Sequence, residues 1–134
     1  MTPSLIRHNS NGRFLAIVGE GEYVVYTSRQ LRSKAFGEGT DFVWRPNSNA
    51  YCVQIVGVGV WGDEQNESTL RLYDDFKERR VIQVPARITA LYEGACLGIN
   101  CAGECVCFYD WERGALLRRV DGKVLVRVGV WGEA

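Results

Sequence analysis

Three apolar runs in this sequence end on a tyrosine in the same context: Glu22-Tyr-Val-Val-Tyr-Thr27, Thr69-Leu-Arg-Leu-Tyr-Asp74 and Glu104-Cys-Val-Cys-Phe-Tyr-Asp110. Each is followed by a polar turn and a second run, ending at Phe36, Val84 or Val120. A chain that repeats one small unit cannot bury the apolar face of a single copy, so neighbouring copies must stack. Tyr26 and Tyr73 are 47 residues apart and Tyr73 and Tyr109 are 36 apart; the excess of 11 equals the length of the Gly- and acid-rich segment Gly57–Glu67. With that insertion removed the period is regular. A second echo precedes strands: Arg7-His-Asn-Ser-Asn-Gly12 recurs as Arg45-Pro-Asn-Ser-Asn-Ala50, an offset of 38.

Short β-branched and aromatic runs separated by Gly, Asn and Asp predict antiparallel strands. Eleven are expected: Phe14–Val18, Tyr23–Thr27, Leu31–Phe36, Asp41–Trp44, Tyr51–Val56, Leu70–Tyr73, Val81–Val84, Ile88–Tyr92, Ala95–Asn100, Val106–Tyr109 and Leu116–Val120. The best helical stretch, Leu70–Val84, reads better as two strands around the polar turn Asp74-Asp75-Phe76-Lys77. Nothing else carries a helical period, so the expected class is all-β. Four short strands in a unit of about 40 residues match a β-propeller blade of the WD40 kind. The Tyr-Thr and Tyr-Asp endings would act like its Trp-Asp pair, a ring closing the inter-blade core and a polar neighbour bonding the turn. The chain of 134 residues holds about three such blades, whereas a closed propeller needs about four to eight. The expected layout is an incomplete ring with blades at 5–37, 38–85 and 86–121, another starting at 122–134, and an insertion at 57–67. On this reading the chain starts in mid-blade and, isolated, leaves an inter-blade face open at each end.

Charge and motifs exclude most chemistry. Lys+Arg and Asp+Glu are equal at 16 each, which leaves no basic excess to release counterions from nucleic acid. The longest apolar runs, such as Phe14–Val18 and Tyr51–Val60, fall short of the roughly 18 residues that span a bilayer. Met1-Thr-Pro-Ser-Leu-Ile-Arg-His8 lacks the layout of a secretory signal. A soluble, cytosolic chain is expected, with its five cysteines reduced. Gly57-Val-Gly-Val-Trp-Gly62 is a literal G-x-G-x-x-G, but Asp63-Glu-Gln-Asn-Glu67 follows where a dinucleotide site needs a helix N-terminus. Gly129-Val-Trp-Gly132 repeats part of it and also opens no helix.

Cys96, Cys101, Cys105 and Cys107 raise the question of a metal. Their spacings of four, three and one residues are spread over two predicted strands, unlike the paired C-x₂₋₄-C of zinc knuckles. Alternation puts Cys96 opposite Cys101, so four ligands are not expected to converge and no metal or other cofactor is expected. Cys105 and Cys107 share a face, and Cys101 and Cys105 flank a short turn where they could lie opposite each other. Small thiols filling a core are the expected role. His8, the only histidine, is expected in a loop with no nucleophile beside it. Asp74, Asp75 and Asp110 sit at turns, where carboxylates cap amides. Lys77-Glu-Arg-Arg80, Arg113, Arg118 and Arg119 read as a solvated rim open to protein contact. No catalytic residue and no small-molecule substrate is expected.

With blades and turns placed, several segments resemble the β′ subunits of coatomer, the COPI vesicle coat. They are His8-Asn-Ser-Asn-Gly-Arg-Phe14, Gly19-Glu-Gly-Glu-Tyr-Val-Val-Tyr-Thr27, Leu31-Arg-Ser-Lys-Ala-Phe-Gly37, Tyr73-Asp-Asp-Phe-Lys-Glu-Arg79, Leu91-Tyr-Glu-Gly-Ala-Cys-Leu-Gly98 and Phe108-Tyr-Asp-Trp-Glu112 with Leu117-Arg-Arg119. They run in the family's order through most of residues 5–120 and resemble the second of its two WD-repeat propellers. The Gly57–Glu67 insertion departs from the family pattern. The resemblance implies a non-enzymatic scaffold of the cytoplasmic coat on Golgi membranes and COPI vesicles, in Golgi-to-ER and intra-Golgi transport. It implies peripheral membrane association through the coat, and contacts with other coatomer subunits, the α subunit first. It carries over no cargo-binding residue. The competing expectation is a WD-type interaction module outside vesicle traffic.

Overall fold

The computed structural model describes residues 2–56, 67–102 and 104–121. Twelve strands are present among them: β1 (Leu5–His8), β2 (Phe14–Gly19), β3 (Glu22–Thr27), β4 (Ser33–Glu38), β5 (Asp41–Trp44), β6 (Tyr51–Val56), β7 (Ser68–Asp74), β8 (Lys77–Val84), β9 (Ile88–Tyr92), β10 (Leu97–Cys101), β11 (Cys105–Tyr109) and β12 (Leu116–Asp121). They form three four-stranded antiparallel meanders, β1–β4, β5–β8 and β9–β12. These are β-propeller blades, here blades 1 to 3. Their first strands meet side by side, with β5 packed against both β1 and β9. The sheets do not close on themselves, and the fold is all-β as the strand pattern predicts.

The differences from the sequence reading are local. β1 was not among the expected strands; it makes the first sheet four-stranded, so a start in mid-blade is overturned, and His8 ends a strand instead of lying in a loop. Leu5-Ile-Arg-His8 is too short and mixed to announce itself, and its pairing with β2 supplies the missing signal. β4 starts two residues later than expected, because Leu31 adopts a φ of 52° in the preceding turn. β8 starts at Lys77, since the turn before it needs only Asp75 and Phe76, at φ values of 51° and 64°. Two positive-φ residues make the tight turn whose twist matches antiparallel strands, as Glu20 and Gly21 do between β2 and β3. The strain at Phe76 is offset by packing, its ring meeting Phe14 edge-on at 5.0 Å.

The echo of Arg7–Gly12 in Arg45–Ala50 is not the structural repeat. The turn bond from the Asn9 amide to the Phe14 carbonyl recurs from Arg45 to Ala50, an offset of 36. The Asn-Ser-Asn triplets are therefore displaced by two positions within equivalent turns. The same offset links Ser4 and Thr40, whose hydroxyls donate to the Val18 and Gln54 carbonyls. Val56 pairs with Ser68 across the β6–β7 hairpin; the insertion expected at Gly57–Glu67 falls there, and residues 57–66 lie outside the described residues.

Two apolar clusters fill the inter-blade spaces. Ala16, Val18, Tyr23 and Val25 of blade 1 meet Phe42, Trp44, Tyr51 and Val53 of blade 2. Across blade 2, Val43, Cys52, Leu70 and Leu72 meet Leu91, Leu97, Ile99 and Tyr109 of blade 3. Tyr51 centres the first cluster, stacked on Phe42 at 4.8 Å and on Tyr73 at 4.9 Å. Tyr23 lies edge-on to Tyr51 at 6.3 Å. Burial and the neighbouring Tyr51 and Tyr73 hydroxyls push the Tyr23 phenol far above its usual range. Burial pushes Tyr51 up to about 12.

Two outcomes are expected. An L-residue at positive φ costs about 1–2 kcal/mol, part of which glycine returns as chain entropy. Leu31→Gly should raise the urea midpoint by roughly 0.5–1 kcal/mol of stability. A Cβ at Gly39 would stand 2.5 Å from Val53 Cγ1, so Gly39→Ala should lose about 1–3 kcal/mol; the reverse order of midpoints would refute this reading of the turns. At alkaline pH, the unfolded chain loses its phenolic protons first, because burial raises the folded-state values. Stability should hold below pH 10 and fall as the pH rises through about 12, the Tyr51 value. The ultraviolet band of tyrosinate should then appear in step with unfolding; gradual ionisation of a folded chain would contradict it.

Candidate interaction site

The three period-marking tyrosines occupy equivalent places. Tyr26 pairs with Leu15, Tyr73 with Tyr51 and Tyr109 with Leu97. Tyr73 faces blade 1 and Tyr109 faces blade 2. Tyr26 therefore faces the side of blade 1 turned away from blade 2. The polar neighbours bond their turns as expected: Thr27 Oγ1 accepts the Arg32 amide and Asp110 Oδ1 accepts the Glu112 amide. In blade 2 the tighter turn replaces that arrangement, with Asp74 paired to Lys77 and Asp75 inside the turn.

The register puts Ile6, Leu15, Ile17, Val24, Tyr26 and Phe36 on that outer face of blade 1. Leu15, Ile17, Val24 and Tyr26 are half-buried, whereas Ile6 is 57% and Phe36 78% exposed. An apolar face of this kind marks a contact surface. The opposite face of the same sheet is the buried one described above, so the two faces differ in what covers them rather than in apolar character.

A cleft of about 350 Å³ opens between blades 2 and 3, lined by Arg45, Tyr73, Asp74, Arg79, Arg80, Trp111 and Glu112 among others. Arg45 pairs with Glu112 at 3.6 Å, the Arg80 Nε donates to the Glu112 carbonyl at 3.3 Å, and the Trp111 indole donates to the Gly94 carbonyl at 3.0 Å. Lys77, Glu78, Arg79 and Arg80 are exposed, as are Arg113, Arg118 and Arg119, which agrees with the solvated rim. Pairs this exposed contribute about 0–1 kcal/mol, so the cleft is a shaped rim rather than a clamp. Arg45 and Glu112 were not singled out from sequence, because they are 67 positions apart and meet only through blade stacking. His8 is exposed at the end of β1. The Gly57–Gly62 and Gly129–Gly132 motifs lie outside the described residues.

The cysteines depart from expectation. Cys96 precedes β10 rather than lying within it and is half-buried. Cys101 and Cys105 are register partners, as their spacing allows, and Cys107 follows two positions along the same face. The three sulfurs lie within 4.8 Å of one another and all three residues are buried. Cys96 stands outside this group because it lies before β10, where strand alternation does not apply, and the other three thiols do converge. Burial and the neighbouring Cys105 thiol push Cys101 up to about 12, and burial first raises Cys107 as well. Cys101 and Cys107 are neutral, packed thiols, as is Cys52, raised by burial in the same apolar cluster.

A family model described as the COPA/B second beta-propeller matches residues 1–134. The coatomer subunit beta′ of Drosophila melanogaster is 39% identical over 119 residues, 89% of this chain and 12% of that protein. The probable coatomer subunit beta′ of Schizosaccharomyces pombe is 33% identical over 121 residues, 90% of this chain and 14% of that protein. The chain thus spans about an eighth of the length of these relatives. Among solved structures, Kluyveromyces lactis Hsv2p is similar in fold, with a TM-score of 0.57 at 11% identity, covering 87% of this chain and 36% of that one. The tyrosine-marked blades, the inter-blade cores and the full-length match agree: this chain belongs to the COPA/B second beta-propeller family.

Proposed function

We propose that this chain serves as a scaffold segment of the COPI coat, acting through protein contacts and doing no chemistry. The observation that carries this reading is the family match over the whole chain, with coatomer beta′ relatives aligned over about nine-tenths of it. The physical features agree with it. Apolar surface is concentrated at blade faces, carboxylates serve turns and rim pairs, and the balanced charge offers nothing to a nucleic acid. The blade division 5–37, 38–85 and 86–121, with a further blade starting in 122–134 and an insertion at 57–67, is part of this proposal. Its partners are other coatomer subunits, the α subunit foremost. Its place is the cytoplasmic surface of Golgi membranes and COPI vesicles, held peripherally through the coat, in Golgi-to-ER and intra-Golgi transport.

Native-size fractionation with an antibody against residues 57–80 tests the assignment. The antigen should migrate with the other coatomer subunits and be retained with the α subunit on immunoprecipitation. An antigen that fractionates apart from every coat subunit would leave an interaction module unconnected with vesicles. The open face of blade 1 makes a separate prediction. Purified as 134 residues, the chain should self-associate in light scattering, and the double variant Ile6→Lys, Phe36→Lys should shift it toward monomer. A monodisperse, cooperatively melting parent would refute the open-face reading.

A further inference from the structure

We propose that Cys101, Cys105 and Cys107 form a binding site for one thiophilic monovalent ion, Cu(I), inside the interface of blades 2 and 3. The site is built by two independent features of the fold. Antiparallel register sets Cys101 opposite Cys105, and the two-residue period of β11 sets Cys107 on the same face. The hairpin is fixed by a left-handed Ala102 at φ 49° and by the Glu104 amide donating to the Cys101 carbonyl at 2.9 Å. The ligand atoms are thus held by a sheet, not by a loop that must be ordered on binding.

The donor set selects the ion. All three atoms are thiol sulfurs, with no imidazole or carboxylate in the group. Soft sulfur donors favour Cu(I) or zinc over hard cations. Protein zinc sites of the structural kind complete a tetrahedron of four ligands, and Cys96, the nearest further thiol in sequence, stands outside this group. Three sulfurs suit a trigonal ion. With metal–sulfur bonds of about 2.3 Å such an ion sets its sulfurs about 4 Å apart, so sulfurs within 4.8 Å need to close by less than about 1 Å, within the reach of small side-chain rotations. Arg119 and Asp121, the register partners of Cys107 and Cys105, form an ion pair at 2.8 Å beside the group. Binding is a ligand exchange. Each S–H bond that yields to an S–Cu bond releases its proton to solvent, and copper remains Cu(I) throughout.

The test is competition for Cu(I) against bicinchoninate under anaerobic, reducing conditions, using the full chain. One equivalent of copper should transfer to the protein, with a thiolate-to-copper charge-transfer band in the ultraviolet. Cys101→Ser, Cys105→Ser and Cys107→Ser should each weaken uptake at least about tenfold, the lower end of what even outer-shell losses cost, while Cys52→Ser and Cys96→Ser leave it unchanged. X-ray absorption on the copper-loaded parent should count three sulfur neighbours, a readout that needs no variant to fold. Failure to take copper from bicinchoninate, uptake that survives loss of all three cysteines, or a requirement for Cys52 or Cys96 would overturn the assignment. Stoichiometric zinc binding without copper transfer would overturn the choice of ion.

Discussion

Blade 2 is buried on both sides, and the arrangement of its neighbours follows from that constraint. Phe42, Val43 and Trp44 of β5 and Tyr51, Cys52, Val53 and Gln54 of β6 are all buried, though consecutive residues point to opposite faces. A single sheet cannot satisfy such a run; something apolar must lie on each side. Blade 1 supplies Val18, Tyr23 and Val25, and blade 3 supplies Leu97, Ile99 and Tyr109. The energies are unequal in kind. A fully buried large apolar side chain contributes about 1.5–3 kcal/mol, while each rim ion pair adds at most about 1 kcal/mol. Blade stacking therefore sets the geometry, and the charged rim is carried along with it.

Gln54 and Ser68 each find a partner where they enter the interface of blades 2 and 3, whereas the buried Tyr51 hydroxyl between blades 1 and 2 has no hydrogen-bond partner among the described residues. Gln54 is buried and donates to the Ile88 carbonyl at 3.2 Å; Ser68 is buried, donates to the Ala86 carbonyl and accepts the Ile88 amide. These bonds fasten the passage from β8 to β9, while Ser4 and Thr40 fasten the entries to blades 1 and 2. A buried amide or hydroxyl without such a bond would cost about 1–3 kcal/mol. The linkers are thus placed by side chains that the core could not otherwise tolerate.

Much of this was legible in the sequence because it depends on local pattern. The three tyrosines and their turns marked the blades, since a ring facing the preceding blade must recur at the same point of each sheet. The spacing excess of 11 residues falls in the interval between Tyr26 and Tyr73, which holds Gly57–Glu67. What stayed hidden depends on contacts between distant positions. Leu5–His8 becomes a strand only through β2, and Arg45 meets Glu112 only when blades 2 and 3 dock. The cysteines fall between these cases. Cys96 stands apart because β10 begins after it, not through the alternation expected, and the small separation of the remaining sulfurs required the hairpin register, which spacing alone suggested without fixing. The displaced Asn-Ser-Asn triplets show the opposite error, a likeness of text that the turn hydrogen bonds do not share.

The outermost strands lead to a different kind of conclusion. β4, β8 and β12 end their sheets with an unpaired side, and such edges recruit other strands when they are flat and apolar. Here they carry Lys34 and Glu38, Lys77 through Arg80, and Arg118 with Arg119, nearly all of it exposed. Register shifts also fall where β4, β8 and β12 join their neighbours, which twists each edge away from a straight template. Charge and irregularity guard these rims even though the exposed Phe36, Val81, Leu116 and Leu117 lie on the same strands. Lateral growth by strand addition is disfavoured, and layering of one sheet upon another is left as the favoured mode of contact. The molecule is built to be stacked, not zipped.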